Sequence, residues 1–418
     1  MGFTAVEKIL MNHSVKPLKT VSPGDIVVCN VEYGGTHEGW AADVYKRWEE
    51  FGDIKGVFDP DKFAFYMGHH MGTTTSDEMA YNYQKTREYA AKLGVRVHDL
   101  GSGICHIRIV EQGIAHPGTL TVFGDSHTLG AGVTGGIGIQ CGGDMMEVVL
   151  TGTMWFKVPE TQKYIVEGKA PKGVFPRDVI QYIIGQVGMD NSVYKAIEWD
   201  GSYIHSQPIP LRYPFTMMSV ELGAKTCFIE PDKITLEYIK DRVKVPYKIV
   251  KTDPDARIEA EFRFDVSNLT PQVAAPSNPG NTKPIAEVLG ARIDQVCIGT
   301  CCGSSIYDMR TAAEVLKGHR VKARTVIVPG TREVLSQCAA EGLLQVFADS
   351  GADMLPAHCG TCQTISCAHL APGETQMHPG PRNWTGRTAE GSYTYLASPA
   401  TCAASAIEGQ VADCRNYL

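Results

Sequence analysis

The feature that most constrains this chain is an alternation. Short β-branched runs, DIVVCN (25–30), TLTVF (119–123), QVCIG (295–299) and RTVIV (324–328), each stand beside segments of helical period. Strands and helices in alternation need crossover connections, so the pattern predicts an α/β protein with largely parallel sheets. The clearest predicted helices are DEMAYNYQKTREYAAKLG (77–94), RDVIQYIIGQVG (177–188) and IYDMRTAAEVLKGH (306–319). At 418 residues the chain exceeds one ordinary core, which implies two or three domains. LTPQVAAPSNPGNTK (269–283) is rich in Pro, Asn and Gly without an apolar period, so 271–283 reads as a linker. The expected units are α/β domains at 1–160, 161–270 and 284–418.

Composition excludes several functions. The net charge is -7 and no Lys/Arg run exceeds two residues, which argues against a nucleic-acid partner. MGFTAVEKILMNHS lacks the basic start and apolar middle of a secretory signal, and no apolar run is long enough to span a membrane. Thirteen cysteines, an odd number at irregular spacing, read as reduced thiols and metal ligands, which places the protein in the cytoplasm. GAGVTGGIGIQCGGD (130–144) lacks the Gly-Lys-Ser/Thr of a phosphate loop and reads as a tight loop feeding a helix.

HCGTC (358–362) sets two thiolates three positions apart, so one loop can aim both at one metal centre. Alone it fits zinc, an iron-sulfur cluster, a redox pair or two core thiols. Cys301 adds a third thiol directly after the predicted strand QVCIG, and ligands gather at the carboxyl ends of parallel strands. Three thiolates leave one iron of a four-iron cluster open, able to polarise a hydroxyl as a Lewis acid. Cys302 could serve as a fourth ligand or face the core.

GDSHT (124–128) follows the strand TLTVF, which puts Asp125, Ser126 and His127 at a strand end; a capped turn with a solvated histidine is the bland reading. His106, in SGICHIRIV, is expected one strand upstream as a buried imidazole partnered by Asp125. GHH (68–70) and THE (36–38) are further clusters, and Glu221 is expected on a short helix. A His-carboxylate pair tunes a proton donor towards neutral pH. Arg382 and Arg387 in PRNWTGR (381–387) could grip carboxylates bidentately or be surface arginines.

In order along nearly the whole chain, THE, GHH, GICHIRIVEQGIAHPGTLTVFGDSHT (103–128), SVELGA (219–224), GTCCGSSIYDM (299–309), PGTREVLSQCAAEGL (329–343), HCGTC, NWTGR and YLASPATCAASAIEGQVAD (395–413) resemble the aconitase superfamily. Within it the resemblance is to large subunits of the 3-isopropylmalate dehydratase, homoaconitase and dimethylmalate dehydratase type. The resemblance implies three α/β/α domains around a cluster-containing cleft, without the swivel domain of single-chain aconitases. It implies one 4Fe-4S cluster on Cys301, Cys359 and Cys362, with one iron lacking a cysteine. It pairs His106 with Asp125 and His127 with Glu221, adds His69 near the leaving group, and gives substrate binding to His37, Ser126, Arg382 and Arg387. It further implies a hydro-lyase acting on a small hydroxy di- or tricarboxylate. A separate small subunit in a hetero-oligomer would supply the catalytic serine.

The departures are Gly68 for an Asp before His69, which leaves support for that histidine to His70, Cys302-Gly303 for Thr-Asn, and Met217 and Pro381 for asparagines. Two rival readings stand beside the hydro-lyase: a zinc metallohydrolase on the same cysteines, and a non-catalytic, cluster-bearing sensor.

Overall fold

A computed structural model describes residues 2–52, 56–69, 76–363 and 367–418. Among these residues the strands form three larger sheets and one two-stranded ribbon. The first sheet is wholly parallel, in the order Arg96–His98, Phe63–Tyr66, Tyr33–His37, Leu120–Phe123, Ile137–Gln140. A second parallel sheet runs Thr226–Ile229, Ala196–Asp200, Thr161–Glu167, Ala260–Asp265. The third sheet has a parallel part, Tyr393–Leu396, Thr375–His378, Gln295–Ile298, Arg324–Ile327, Asp353–Met354, extended by antiparallel strands Gln272–Ala274 and Thr282–Pro284. The parallel α/β reading therefore holds, except that Ile26–Asn30 pairs antiparallel with Thr153–Lys157 outside the parallel sheets.

The three predicted helices are present as Asp77–Leu93, Pro176–Val187 and Ile306–Leu316. Ser76 caps the first through the Met79 amide, and Gly94 closes it at φ 72°, a conformation that costs glycine little. Ser305 and Asp308 form a reciprocal capping box on the third, fixing the helix start just beyond Cys301. None of the described helices is long and apolar enough to cross a membrane.

Three local expectations are corrected. The stretch 271–283 is not a linker but an edge hairpin, bound to the helix Pro176–Val187 by Gln272 N donating to Asp178 (2.9 Å) and Gln181 Nε2 donating to Thr282 Oγ1 (2.7 Å). Two short strands around a Pro/Asn/Gly turn carry too little apolar period to be told from a linker. The glycine-dense 130–144 is not a loop but the end of a 3-10 helix (Ser126–Thr134) followed by the strand Ile137–Gln140. Its glycines allow close packing, since a Cβ on Gly138 would collide with the Thr128 carbonyl. His106 lies not on a strand but in the helix Cys105–Glu111, whose short apolar run has no decisive period.

Cys301, Cys302, Cys359 and Cys362 pack into the hydrophobic cluster formed by the first two sheets, together with Tyr66, Phe123 and Met217. The third sheet thus presents its thiols across a seam to the histidines of the first.

Candidate active site

The loops at the carboxyl ends of the first and third sheets enclose a cleft of about 420 Å³. His37, His69, Asp125, Ser126, His127, Cys301, Cys359, Cys362, Arg382 and Arg387 line it. Of the residues expected from sequence, only His106 and Glu221 lie behind its wall, where each contacts a lining side chain. Trp40, Gln140 and Gln363 also line the cleft. Gln363 directly follows the CxxC, a signal that could have found it, whereas Gln140 was hidden in the glycine-dense stretch.

Asp125 organises one wall. Its carboxylate caps the 3-10 helix Ser126–Thr134 by accepting from His127 N at 2.7 Å. Around it stand His106 Nδ1 (3.1 Å), His69 Nδ1 (3.4 Å), His127 Nδ1 (3.7 Å) and His37 Nε2 (3.9 Å). Burial opposes its charge, yet His106, His69 and His127 hold the carboxyl well below the usual carboxylate range. An ionised Asp125 orients four imidazoles. Burial lowers the pKa of His37 and His127, so both favour the neutral form. His37 caps the helix Glu38–Phe51 through the Gly39 amide and stacks on His69 at 4.4 Å. The Glu38 carboxylate accepts from His69 N at 2.9 Å. A Cβ on Gly68 would collide with the Gly103 carbonyl, so aspartate has no room there; Glu38 supports the His69 backbone, and His70 lies outside the described residues.

His127 Nε2 lies 3.5 Å from Glu221 Oε1, which also accepts from Arg382 Nε at 2.7 Å. Burial would raise Glu221, but His127 and Arg382 keep it below its ordinary value. This relay joins the histidine wall to the arginine loop. Arg387 is placed differently: Nη2 lies 3.8 Å from Cys362 Sγ, the guanidinium sits over the Trp384 ring at 4.6 Å, and Nε is buried without a partner. The Trp384 ring also carries Arg382, at 5.9 Å.

The thiols form the opposite wall. Thr300, just before Cys301, adopts φ 61°, a conformation costly for a β-branched residue and suited to turning the next side chain into the cleft. Cys301, Cys359 and Cys362 are each at most 4% exposed. Their pKa values are pushed well above the ordinary thiol range, Cys301 by Cys302, Cys359 by Cys301 and Cys362 by Cys359, with burial adding to each. Such a cluster becomes thiolate only around a cation, so the donor set fits a metal centre. Cys302 Sγ lies 3.6 Å from Cys301 Sγ but does not line the cleft. One ring nitrogen each of His106 and His127 and the Cys301 sulfur lie within 4.8 Å of one another.

The sequence model of the Aconitase family (aconitate hydratase) matches residues 64–409. The chain belongs to the aconitase family. It is 40% identical to "3-isopropylmalate dehydratase large subunit 1" of Methanopyrus kandleri over 100% of both chains. To "Probable methanogen homoaconitase large subunit" of Methanosarcina mazei it is 35% identical, over 93% of this chain and 100% of the relative. The structure resembles Thermococcus kodakaraensis aconitase X in its holo-form, with TM-score 0.51 and 12% identity over 85% and 84% of the two chains, a likeness of fold. The chain is a hydro-lyase of the aconitase family, and the relatives it matches over their full length are named as large subunits.

Sequence reasoning missed the scaffold behind this aconitase-family site. Arg177 donates to the carbonyls of Pro379 (2.9 Å) and Gly380 (2.8 Å), and Asn383 Nδ2 donates to those of Ala275 (3.0 Å) and Thr394 (3.1 Å). Together they fasten the loop bearing Arg382 and Arg387. Met217, one of the departures expected from the resemblance, is fully buried in the same core as the thiols.

Proposed function

We propose that this chain is the large subunit of a 4Fe-4S hydro-lyase that dehydrates or hydrates a malate-type hydroxy acid, such as 3-isopropylmalate, 2-methylmalate, 2,3-dimethylmalate or homocitrate. The observation that carries the reading is the meeting, in one cleft, of exactly those three thiols with a histidine-carboxylate wall and Arg387, which has no carboxylate within 4.0 Å among the described residues. Cys301, Cys359 and Cys362 would hold the cluster, and Cys302, outside the lining, would not. When bound, such a cluster supplies an open Lewis-acid position for a hydroxyl.

The chain's own groups cover the remaining needs. Arg387 binds a substrate carboxylate through a fork whose charge no acidic side chain quenches. Arg382 keeps one donor on Glu221 and turns its remaining donors to the substrate. His106 sets Nδ1 3.1 Å from Asp125 Oδ1, and its Nε2 is buried with no partner among the described residues. His127, held between Asp125 and Glu221, takes up a proton and delivers it to a departing hydroxyl; Glu221 stabilises the imidazolium against the burial that otherwise favours the neutral ring. The base that removes the carbon-bound proton, a serine, comes from the small subunit.

The test is oxygen-free reconstitution with the partner small subunit and a screen of 2-alkylmalates, homocitrate-type acids and dimethylmalate for alkene absorbance. Turnover of at least one diacid, lost on omitting the small subunit, is expected. Full activity of the isolated chain would remove the partner's base from the account, and a colourless zinc protein would remove the cluster.

A further inference from the structure

Two arginines are fully buried among the described residues, and they are held in opposite ways. Arg212 has Asp232 Oδ2 at 2.7 Å from Nη2. Arg177, on the helix Pro176–Val187, has no carboxylate oxygen within 4.0 Å among the described residues. Its donors go to Pro379 O, Gly380 O and Gln181 Oε1, the last at 2.9 Å. Those bonds engage each of the three guanidinium nitrogens but set no carboxylate on the charge, a costly arrangement in a dry interior. The adjacent carboxyl, Asp178, makes its hydrogen bonds to the amides of Gln272 and Phe175 rather than to the guanidinium, and burial pushes its pKa up to about 6. His378 beside it is neutral, because burial, then Arg177 and Arg387, lower its pKa to about 3.

Beyond the gripped carbonyls lies the turn that carries the thiols. The Pro379 ring occupies the space a Gly303 Cβ would need, directly after Cys302, and Gly380 stands against Thr300. Arg177 therefore holds the loop wedged behind the turn 300–303 that presents Cys301. Burial lowers its pKa, and the groups that favour its charge are Cys302, Asp178, Cys402 and Cys301. The same loop runs on to Arg382.

We propose that Arg177 is a positioning residue and the buried counter-charge of the thiolate centre, its guanidinium fixing the Cys301 turn and the substrate-arginine loop together while balancing the negative charge the three thiolates bring. The inference rests on the three-thiolate reading of the cleft.

The test uses the full chain reconstituted without oxygen with ferrous iron and sulfide, as wild type, R177K, R177Q and Q181E. The readouts are iron and sulfide content, the cluster's midpoint potential and, with the small subunit, KM and kcat. Loss of a nearby cation favours the oxidised cluster, so R177Q should shift the potential downwards while R177K stays near wild type. R177K should raise KM for the diacid more than it lowers kcat, because the arginine loop is loosened. If R177Q does not fold, Q181E decides, since it leaves the guanidinium in place and sets a carboxylate on it; the same downward shift is expected. An unmoved potential in cluster-loaded Q181E, or in R177Q where it folds, overturns the role of Arg177 alone. A wild-type chain that takes up no cluster overturns this role and the proposed function together.

Discussion

The cleft has two walls of opposite electrostatic character. On the first, Asp125 sits among four imidazoles, and Glu221 lies between His127 and Arg382, so both carboxylates have partners within the protein. On the second, Arg387, and behind it Arg177, have no carboxylate partner among the described residues, burial and then these two arginines keep His378 neutral, and the thiols, set against one another and buried, do not ionise unaided. On the proposed function, the first wall transfers protons with the groups it has, and the second receives anions, the thiolate-bound centre and a substrate carboxylate.

The difference can be broken most severely at the thiols. Replacing Cys301, Cys359 or Cys362 by Ala is expected to abolish brown colour, acid-labile sulfide and turnover, whereas C302A should keep all three; iron and sulfide analysis distinguishes them. On the balanced wall, D125N should leave iron content intact while lowering kcat by roughly 10²–10⁴-fold, the usual worth of general acid-base catalysis. Steady-state kinetics of the loaded complex would show it. Removing the free anion site with R387M should raise KM by about 10–100-fold, as expected for one charge-assisted hydrogen bond of about 1.5–3 kcal/mol.

Acid titration sharpens the contrast. The folded pKa of His378 lies below its unfolded value, so its contribution to stability is present above about pH 6.5 and is lost as pH falls towards 3. The limiting slope for one such proton is about 1.4 kcal/mol per pH unit. Urea unfolding of the cluster-free chain between pH 7 and 5 should show this slope reduced in H378N, whose amide oxygen can still accept from Gly380 N. His205, on the second sheet, behaves in the opposite sense: Asp200 and Asp232 raise it to about 9, so its contribution holds below about 6.5 and is lost as pH rises through 9. The smallest effect is expected at Trp384, where W384L removes an exposed cation-π platform worth about 0.5–1 kcal/mol and should raise KM about two- to fivefold.

Much of this was legible in the sequence because chemistry-bearing residues stand at strand ends. Leu120–Phe123 leads straight into Asp125, and Gln295–Ile298 into Cys301, so local pattern placed them correctly. What escaped was set by packing across the chain. Arg177 reads as an ordinary helix-start residue until the fold brings Pro379 and Gly380 to it, 202 and 203 residues away. The hairpin at 272–284 looked like a linker because its bonding partners lie on the helix Pro176–Val187, outside any local window. Gly68 looked like lost support for His69, yet the backbone of Gly103 leaves space for nothing larger, and Glu38, at the start of the helix Glu38–Phe51, accepts from the His69 amide instead.

The central claim is that the three-thiol wall leaves a position where a hydroxy diacid can bind. The measurement that meets it most directly is the electron paramagnetic resonance spectrum of the reduced, reconstituted chain with and without a malate-type diacid. The account predicts a cluster signal in wild type that changes on adding the diacid and stays unchanged in R387M. A signal indifferent to every diacid, or a protein with no cluster signal after oxygen-free loading, would contradict it.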